Sequence, residues 1–236
     1  MIVCWFNKNI MRKEICFEGV CTSGKTTLGR LMEDRNTRYF PEYSQIDTGV
    51  IRRNKMKFPH QTQGLAETSF RSFLALDTHR NQIIAATGAG LVVTDRGLVG
   101  LVAFEYSLAR NNFINVFDVS AELIESYTKD PACGLPVAWV YTRFSNLDVF
   151  EERVAGKTSG LPYILQRDTA LLLQEYYDEF FMNVGERVEI VVAEGDLMSN
   201  KQRVSQFIGM RFGCYQITND ELIGIIRRTN DKLQRK

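Results

Sequence analysis

Several features that would decide the function of a chain outright are missing from these 236 residues. Neither sign of charge dominates: 29 Lys and Arg stand against 28 Asp and Glu. No overall field therefore recruits nucleic acid, and none is expected as a partner. No apolar run approaches the ~20 residues needed to cross a bilayer. The opening segment, Met1 to Asn9, lacks the core and cleavage pattern of a secretory signal. No membrane partner is expected. The five cysteines, Cys4, Cys16, Cys21, Cys133 and Cys214, are odd in number and widely spaced, with no C-x-x-C pair among them. That argues against a zinc site or a disulfide framework and for a reducing, cytoplasmic setting. The guanine-reading loop Asn-Lys-x-Asp of a GTPase switch is also missing, and Asn146-Leu147-Asp148 does not supply it. No repeat, low-complexity tract or long linker divides the chain. One domain is expected over residues 13–236, with residues 1–12 an appendage ahead of a second possible start at Met11-Arg12-Lys13.

What is present begins at Gly19. Residues Gly19-Val20-Cys21-Thr22-Ser23-Gly24-Lys25-Thr26 spell G-x-x-x-x-G-K-T directly after the apolar stretch Ile15-Cys16-Phe17. This is a phosphate-binding loop between a strand and a helix. Backbone N–H groups over Gly19 to Thr27, among them those of Cys21, Thr22, Ser23 and Gly24, cradle polyphosphate oxygens. Lys25 neutralises the β and γ phosphates, and the Thr26 hydroxyl is a Mg²⁺ ligand. The helix opening at Gly24 adds its positive end. ATP and Mg²⁺ are the expected cofactors.

Five short apolar runs read as buried strands: Glu14 to Glu18, Arg38 to Pro41, Leu91 to Thr94, Val137 to Tyr141 and Val188 to Ala193. Helical patterns separate them, at Gln61 to Ala86, Gly97 to Arg110, Ala121 to Lys129 with Ser120 as N-cap, Leu147 to Ala155 and Ile164 to Val184. Two more helices close the chain, Ser199 to Gly209 and Asp220 to Gln234. Phe70, Phe73, Leu74, Ile83 and Ile84 form the expected buried stripe of the first. The order predicts an α/β fold of P-loop NTPase type: a parallel five-stranded sheet flanked by helices, with a small lid. Ligands on such sheets sit at the carboxyl ends of the strands. The phosphate loop, Glu42, Asp95 and Arg96 all fall there. Asp95, ending a strand beside the phosphate loop, is placed to hold Mg²⁺ with Thr26, and Arg96 to reach a phosphate with its planar fork of donors.

At these residues the chain resembles thymidylate kinases and deoxynucleoside kinases. Phe17-Glu18-Gly19 leading into Gly24-Lys25-Thr26-Thr27 is similar to their opening. Thr94-Asp95-Arg96 resembles the Asp-Arg-Tyr motif of the first family and the Glu-Arg-Ser motif of the second. Leu147-Asp148-Val149-Phe150-Glu151-Glu152-Arg153 resembles the approach to their lid, and Phe73-Leu74-Ala75-Leu76-Asp77 before His79-Arg80 their acceptor-side helix. The likeness runs from Glu14 to Phe212 in the same order. It implies a kinase in which Lys25, Thr26 and Asp95 handle ATP and Mg²⁺. Arg96 would contact the acceptor or the transferring phosphoryl group. Arg153 and Lys157 would lie at a lid near residues 153–162 whose closure excludes water. The bland reading of Arg153 and Lys157 is a solvated helix end. The implied partner is a small phosphoryl acceptor, a nucleoside monophosphate or a nucleoside, and homodimers are common in both families.

Glu42 departs from both families. Phe40-Pro41-Glu42-Tyr43 lacks the Glu-Pro order and following Trp of deoxynucleoside kinases and the Arg-Glu-Pro-Gly of thymidylate kinases. Glu42 is a base for a hydroxyl acceptor, an acceptor-site hydrogen-bond partner, a group behind the Mg²⁺ ligands, or a carboxylate satisfied by its loop. The basic stretch after it, with Arg52, Arg53, Lys55 and Lys57, is either an acceptor-binding insert or a solvated helix. Arg71 and Arg80 compete as further acceptor contacts. Glu194-Gly195-Asp196-Leu197 falls where related kinases pass the adenine, with Gly195 allowing close backbone approach. The cationic tail helix packs Leu222, Ile223, Ile226 and Leu233 on the domain or on a sister subunit. The Asp-Arg motif and the lid approach lean the acceptor toward a nucleotide. A different small hydroxyl compound, or a regulatory ATPase with a partner protein in place of an acceptor, stays open.

Overall fold

A computed structural model describes residues 13–42, 45, 58–130, 133–157, 162–211 and 216–235. The expected appendage at 1–12, the basic stretch bearing Arg52, Arg53, Lys55 and Lys57, and the lid tip at 158–161 lie outside the described residues. The apolar runs form five strands: β1 (Lys13–Gly19), β2 (Thr37–Phe40), β3 (Leu91–Asp95), β4 (Ala138–Arg143) and β5 (Val188–Val192). All pair in parallel, in the order β2-β3-β1-β4-β5. Every residue of β3 and all but the first of β1 are buried. Strands covered on both faces show no alternation of apolar and polar residues, which is why these read as continuous apolar runs.

The helices are α1 (Lys25–Leu31), α2 (Gln63–Thr87), α3 (Leu98–Arg110), α4 (Ser120–Thr128), α5 (Leu147–Ala155), α6 (Arg167–Met182), α7 (Leu197–Arg211) and α8 (Asn219–Gln234). They divide over the two faces of the sheet. Ile15, Phe17, Val93, Val140 and Val191 meet Leu28 of α1 and Val204, Phe207 and Ile208 of α7. The opposite face, with Cys16, Trp139 and Tyr141, is covered by α3 and α6, and behind them by α4 and α8. The tail helix α8 is capped by Thr218, whose side chain accepts from the Glu221 N–H. It buries Leu222, Ile223, Ile226 and Leu233 within this chain, so the domain itself receives its apolar face.

Two expectations are corrected. Ser120 is not an N-cap: a short 3₁₀ turn, Phe117–Val119, runs into α4, and the Ser120 hydroxyl donates back to Phe117 O. In α2, Phe70, Leu74 and Ile84 are buried as expected, but Ile83 is exposed. The buried face of that helix instead carries Asp77, Arg80 and Asn81. These polar groups satisfy one another: Arg80 Nη2 and Asn81 Nδ2 both donate to the Asp77 carboxylate. Among the described residues no helix is long and apolar enough to cross a membrane.

Candidate active site

The parallel sheet brings the carboxyl ends of all five strands to one edge, and the phosphate loop rises from the central strand there. Its path needs left-handed backbone at Gly19, Thr22 and Gly24, with φ of 139°, 64° and 93°. A Cβ on Gly19 would lie 2.3 Å from Thr142 O in the neighbouring strand, so only glycine fits. Ser23 Oγ and Thr142 Oγ1 are 2.5 Å apart, which pins the loop to β4. Lys25 Nζ donates to the carbonyls of Gly19 and Val20 at 3.0 and 2.8 Å. Burial, and then the like charge of Arg96, lower its ammonium to about 8.

Thr26 opens toward β3. Its hydroxyl donates to Asp95 Oδ2 at 2.6 Å, and Tyr39 OH, from the end of β2, donates to the same oxygen at 3.0 Å. Among the described residues, buried Asp95 Oδ1 has no hydrogen-bond partner, and neither has Thr22 Oγ1 in the loop. A buried carboxylate oxygen without a donor is costly. A divalent cation beside Thr26 and Asp95 would satisfy it, so the residues present fit Mg²⁺. Tyr39 reaches Asp95 because its ring lies over Gly29 of α1, where a Cβ would approach it to 2.7 Å. Burial and the nearby Asp95 raise the Tyr39 phenol above its ordinary range.

On the far side of Asp95 stands Arg96, its backbone left-handed at φ 61°. Its Nε donates to Glu42 Oε2 at 3.2 Å, and its Nη1 to Tyr177 OH at 3.5 Å. The chain thus brings Lys25, Thr26, Asp95, Arg96 and Glu42 to one place from three different segments. Neither alternative arginine joins them as an acceptor contact. Arg71 is exposed and paired with Glu67 on its own helix. Arg80 is buried behind the strand end, where its Nη1 donates to the carbonyls of Asp95 and Arg96.

On the other flank a cavity of about 320 Å³ is lined by residues including Thr22, Thr142, Arg153, Ala193, Gly195 and Asn200. Arg153 forms one wall. Its guanidinium donates to Thr22 O at 3.0 Å and Ala193 O at 2.9 Å and lies over the Phe144 ring. It links α5 to the phosphate loop and to the end of β5, whereas Lys157 is exposed. Glu194 accepts from the N–H groups of Ser145 and Asn146, fastening that wall to the start of α5. Asn200 Nδ2 donates to Val192 O, and a Cβ on Gly195 would come within 3.0 Å of the same carbonyl.

Sequence reasoning missed Tyr39, Thr142, Tyr177 and the contacts of Glu18, whose carboxylate accepts from the Gly97 N–H and from Tyr177 OH. Glu18 alone left a trace, as an acid inside an apolar strand, which demands partners. The others depend on which strands and helices become neighbours.

No family model matches the chain, and no curated protein matches it. Solved structures match its fold. Thymidylate kinase from Candida albicans aligns with a TM-score of 0.65 over 87% of this chain and 96% of its own, at 12% identity. Deoxyadenosine kinase from M. mycoides with bound dATP aligns with a TM-score of 0.62 over 83% of this chain and 98% of its own, at 14% identity. The same kinase with bound dCTP gives 0.60 over 84% and 99%, at 15% identity. The chain has the α/β fold of these nucleoside and nucleotide kinases, as its motifs implied.

Proposed function

We propose that the protein is an ATP- and Mg²⁺-dependent kinase that phosphorylates a nucleoside monophosphate or a nucleoside. The observation that carries this reading is the step from Asp95 to Arg96. Asp95 faces the phosphate-loop hydroxyl of Thr26, and the next residue turns the other way to pair with Glu42. One strand end thereby serves a donor and an acceptor at once. Gly19, Cys21, Thr22, Ser23, Gly24, Lys25, Thr26 and Thr27 would hold the ATP phosphates, and the cavity beside Gly195 and Asn200 its base. Thr26 and Asp95 would hold Mg²⁺, which when bound neutralises phosphate charge and orients the transferring group.

The chain's own contribution is positioning and charge. Lys25 supplies a fixed cation at the loop. Arg96 supplies a second on the acceptor side. Arg153 closes the donor wall by holding the loop and β5 together. For a phosphate acceptor, already ionised, cationic clamping by Arg96 suffices and Glu42 is a binder. For a hydroxyl acceptor, Glu42 would take the proton as the new O–P bond forms and the bond from the γ-phosphorus to the departing ADP breaks. The Asp-Arg motif and the lid approach favour the first case. The ion pair that already fixes Glu42 beside Arg96 is the observation that favours the second.

The test is ADP release from Mg²⁺-ATP across a panel of nucleosides, nucleoside monophosphates and other small alcohols, with Lys25→Ala as control. Stimulation by a monophosphate, lost in the control, makes Glu42 a binder. Stimulation by a nucleoside alone, lost in Glu42→Gln, makes it the base. Rapid ATP hydrolysis that no acceptor accelerates would overturn the kinase reading in favour of a regulatory ATPase.

A further inference from the structure

Glu18 is the last side chain of β1 before the glycine that opens the phosphate loop, and it is wholly buried. A carboxylate so placed must find donors. Its Oε1 accepts from the N–H of Gly97 at 2.7 Å and of Gly100 at 3.3 Å, and its Oε2 from Tyr177 OH at 3.1 Å. The two N–H groups belong to the first turn of α3. Gly97 at the N-cap of that helix has no side chain to accept them. Glu18 does from the neighbouring strand what a capping Ser or Asp does from within a helix. Both glycines are needed for the approach. A Cβ on Gly100 would lie 2.9 Å from Glu18 Oε2 and 3.2 Å from Tyr177 OH, and one on Gly97 would lie 2.9 Å from Cys16 Sγ.

The residue just before this cap is Arg96, whose left-handed backbone at φ 61° is uncommon for a side chain of its size. The turn is held from three directions. The Arg96 N–H donates to Phe17 O at 2.8 Å, its carbonyl accepts from Arg80 Nη1 at 2.7 Å, and the following N–H is held by Glu18. The guanidinium is held too: Arg96 Nη1 donates to Tyr177 OH, whose own proton goes to Glu18. One buried carboxylate therefore reaches both the backbone and the side chain of Arg96.

We propose that Glu18 is a positioning residue for Arg96: by capping α3, and through Tyr177, it fixes the cation that the acceptor meets. This rests on the reading of Arg96 given under Proposed function.

Three variants test it, with dTMP and deoxyadenosine as acceptor probes in the ADP-release assay. Glu18→Ala removes cap and relay together. Tyr177→Phe removes only the relay hydroxyl and keeps the packed ring. Glu18→Gln keeps an oxygen for the two N–H groups. Glu18→Ala is expected to lower acceptor kcat/KM by roughly 100-fold, the scale of a misplaced catalytic group, with the KM for ATP little changed. Tyr177→Phe shows a smaller loss of the same kind, and Glu18→Gln restores most of the activity. In an Arg96→Ala background neither Glu18→Ala nor Tyr177→Phe costs more, because the residue they act through is gone. Amide hydrogen exchange over residues 97–102 rises in Glu18→Ala and not in Tyr177→Phe. Unaltered exchange in Glu18→Ala would overturn the cap. Losses that multiply with that of Arg96→Ala would overturn the positioning role while leaving the kinase reading intact. If Arg96→Ala itself uses the acceptor as well as the unaltered protein, both the role of Arg96 and this inference fall.

Discussion

Asp95 receives two hydroxyl donors on one oxygen and none on the other. That asymmetry makes Tyr39 more than a packing residue. If a cation sits beside Thr26 and Asp95 as proposed, Tyr39 is a second donor, independent of the phosphate loop, that keeps the carboxylate oriented. Groups that orient a metal ligand typically contribute 10- to 100-fold in affinity. Tyr39→Phe keeps the ring over Gly29 and loses only the hydroxyl. It is expected to weaken divalent-cation binding by roughly tenfold, read by Mn²⁺ titration followed through water-proton relaxation, with the thermal midpoint little changed. Unchanged Mn²⁺ affinity would reduce Tyr39 to a filler of the space that Gly29 leaves.

At the scale of elements, α3 shows what the buried acids cost. Glu105 on this helix is buried, and its Oε2 accepts from the Val116 N–H at 2.8 Å. Burial pushes its carboxyl from the ordinary 4.5 up to about 7. The folded chain therefore keeps this proton between about pH 4.5 and 7, where the unfolded chain has released it. The folded state binds more protons across that window, so stability falls as pH rises through it. Glu105→Gln keeps the acceptor for Val116 and cannot ionise. It should match the unaltered protein near pH 4 and exceed it near pH 8 by on the order of 3 kcal/mol, measured by denaturant unfolding at both values. Equal stability at both would mean that the carboxylate is paid no penalty by its surroundings. Helix α2 makes the related point about legibility. Its apolar spacing located the helix, but its buried face includes Asp77, Arg80 and Asn81, which periodicity assigns to solvent. Polar groups that satisfy one another inside the fold leave no mark in hydrophobic spacing. The central strands β1, β3 and β4 left a clear one, because burial on both faces writes an apolar run directly into the sequence.

For the whole molecule, the sheet order decides what the local motifs mean. The phosphate loop was legible because its residues are consecutive and their chemistry is carried by backbone and one lysine. The relation of Glu18 to Arg96, or of Arg153 to Thr22, was not, because each joins segments that only the order β2-β3-β1-β4-β5 makes adjacent. That order also splits the edge in two. Toward β4 and β5 lie Thr142, Arg153, Ala193 and Gly195 around the cavity, and toward β2 and β3 lie Glu42, Asp95 and Arg96. If the halves serve donor and acceptor separately, removing a cation from one should spare the other. Arg153→Ala frees Thr22 and Ala193, loosening the donor wall, and is expected to raise the KM for ATP several-fold while leaving that of the acceptor in place. Arg96→Ala is expected to do the reverse. The two variants are far enough apart in role that their effects on kcat/KM should multiply in the double variant. Steady-state kinetics with each substrate varied at saturation of the other decides the matter. A rise in both constants from either single change would mean that the strand ends form one coupled site, in which closure around the first substrate builds the place for the second.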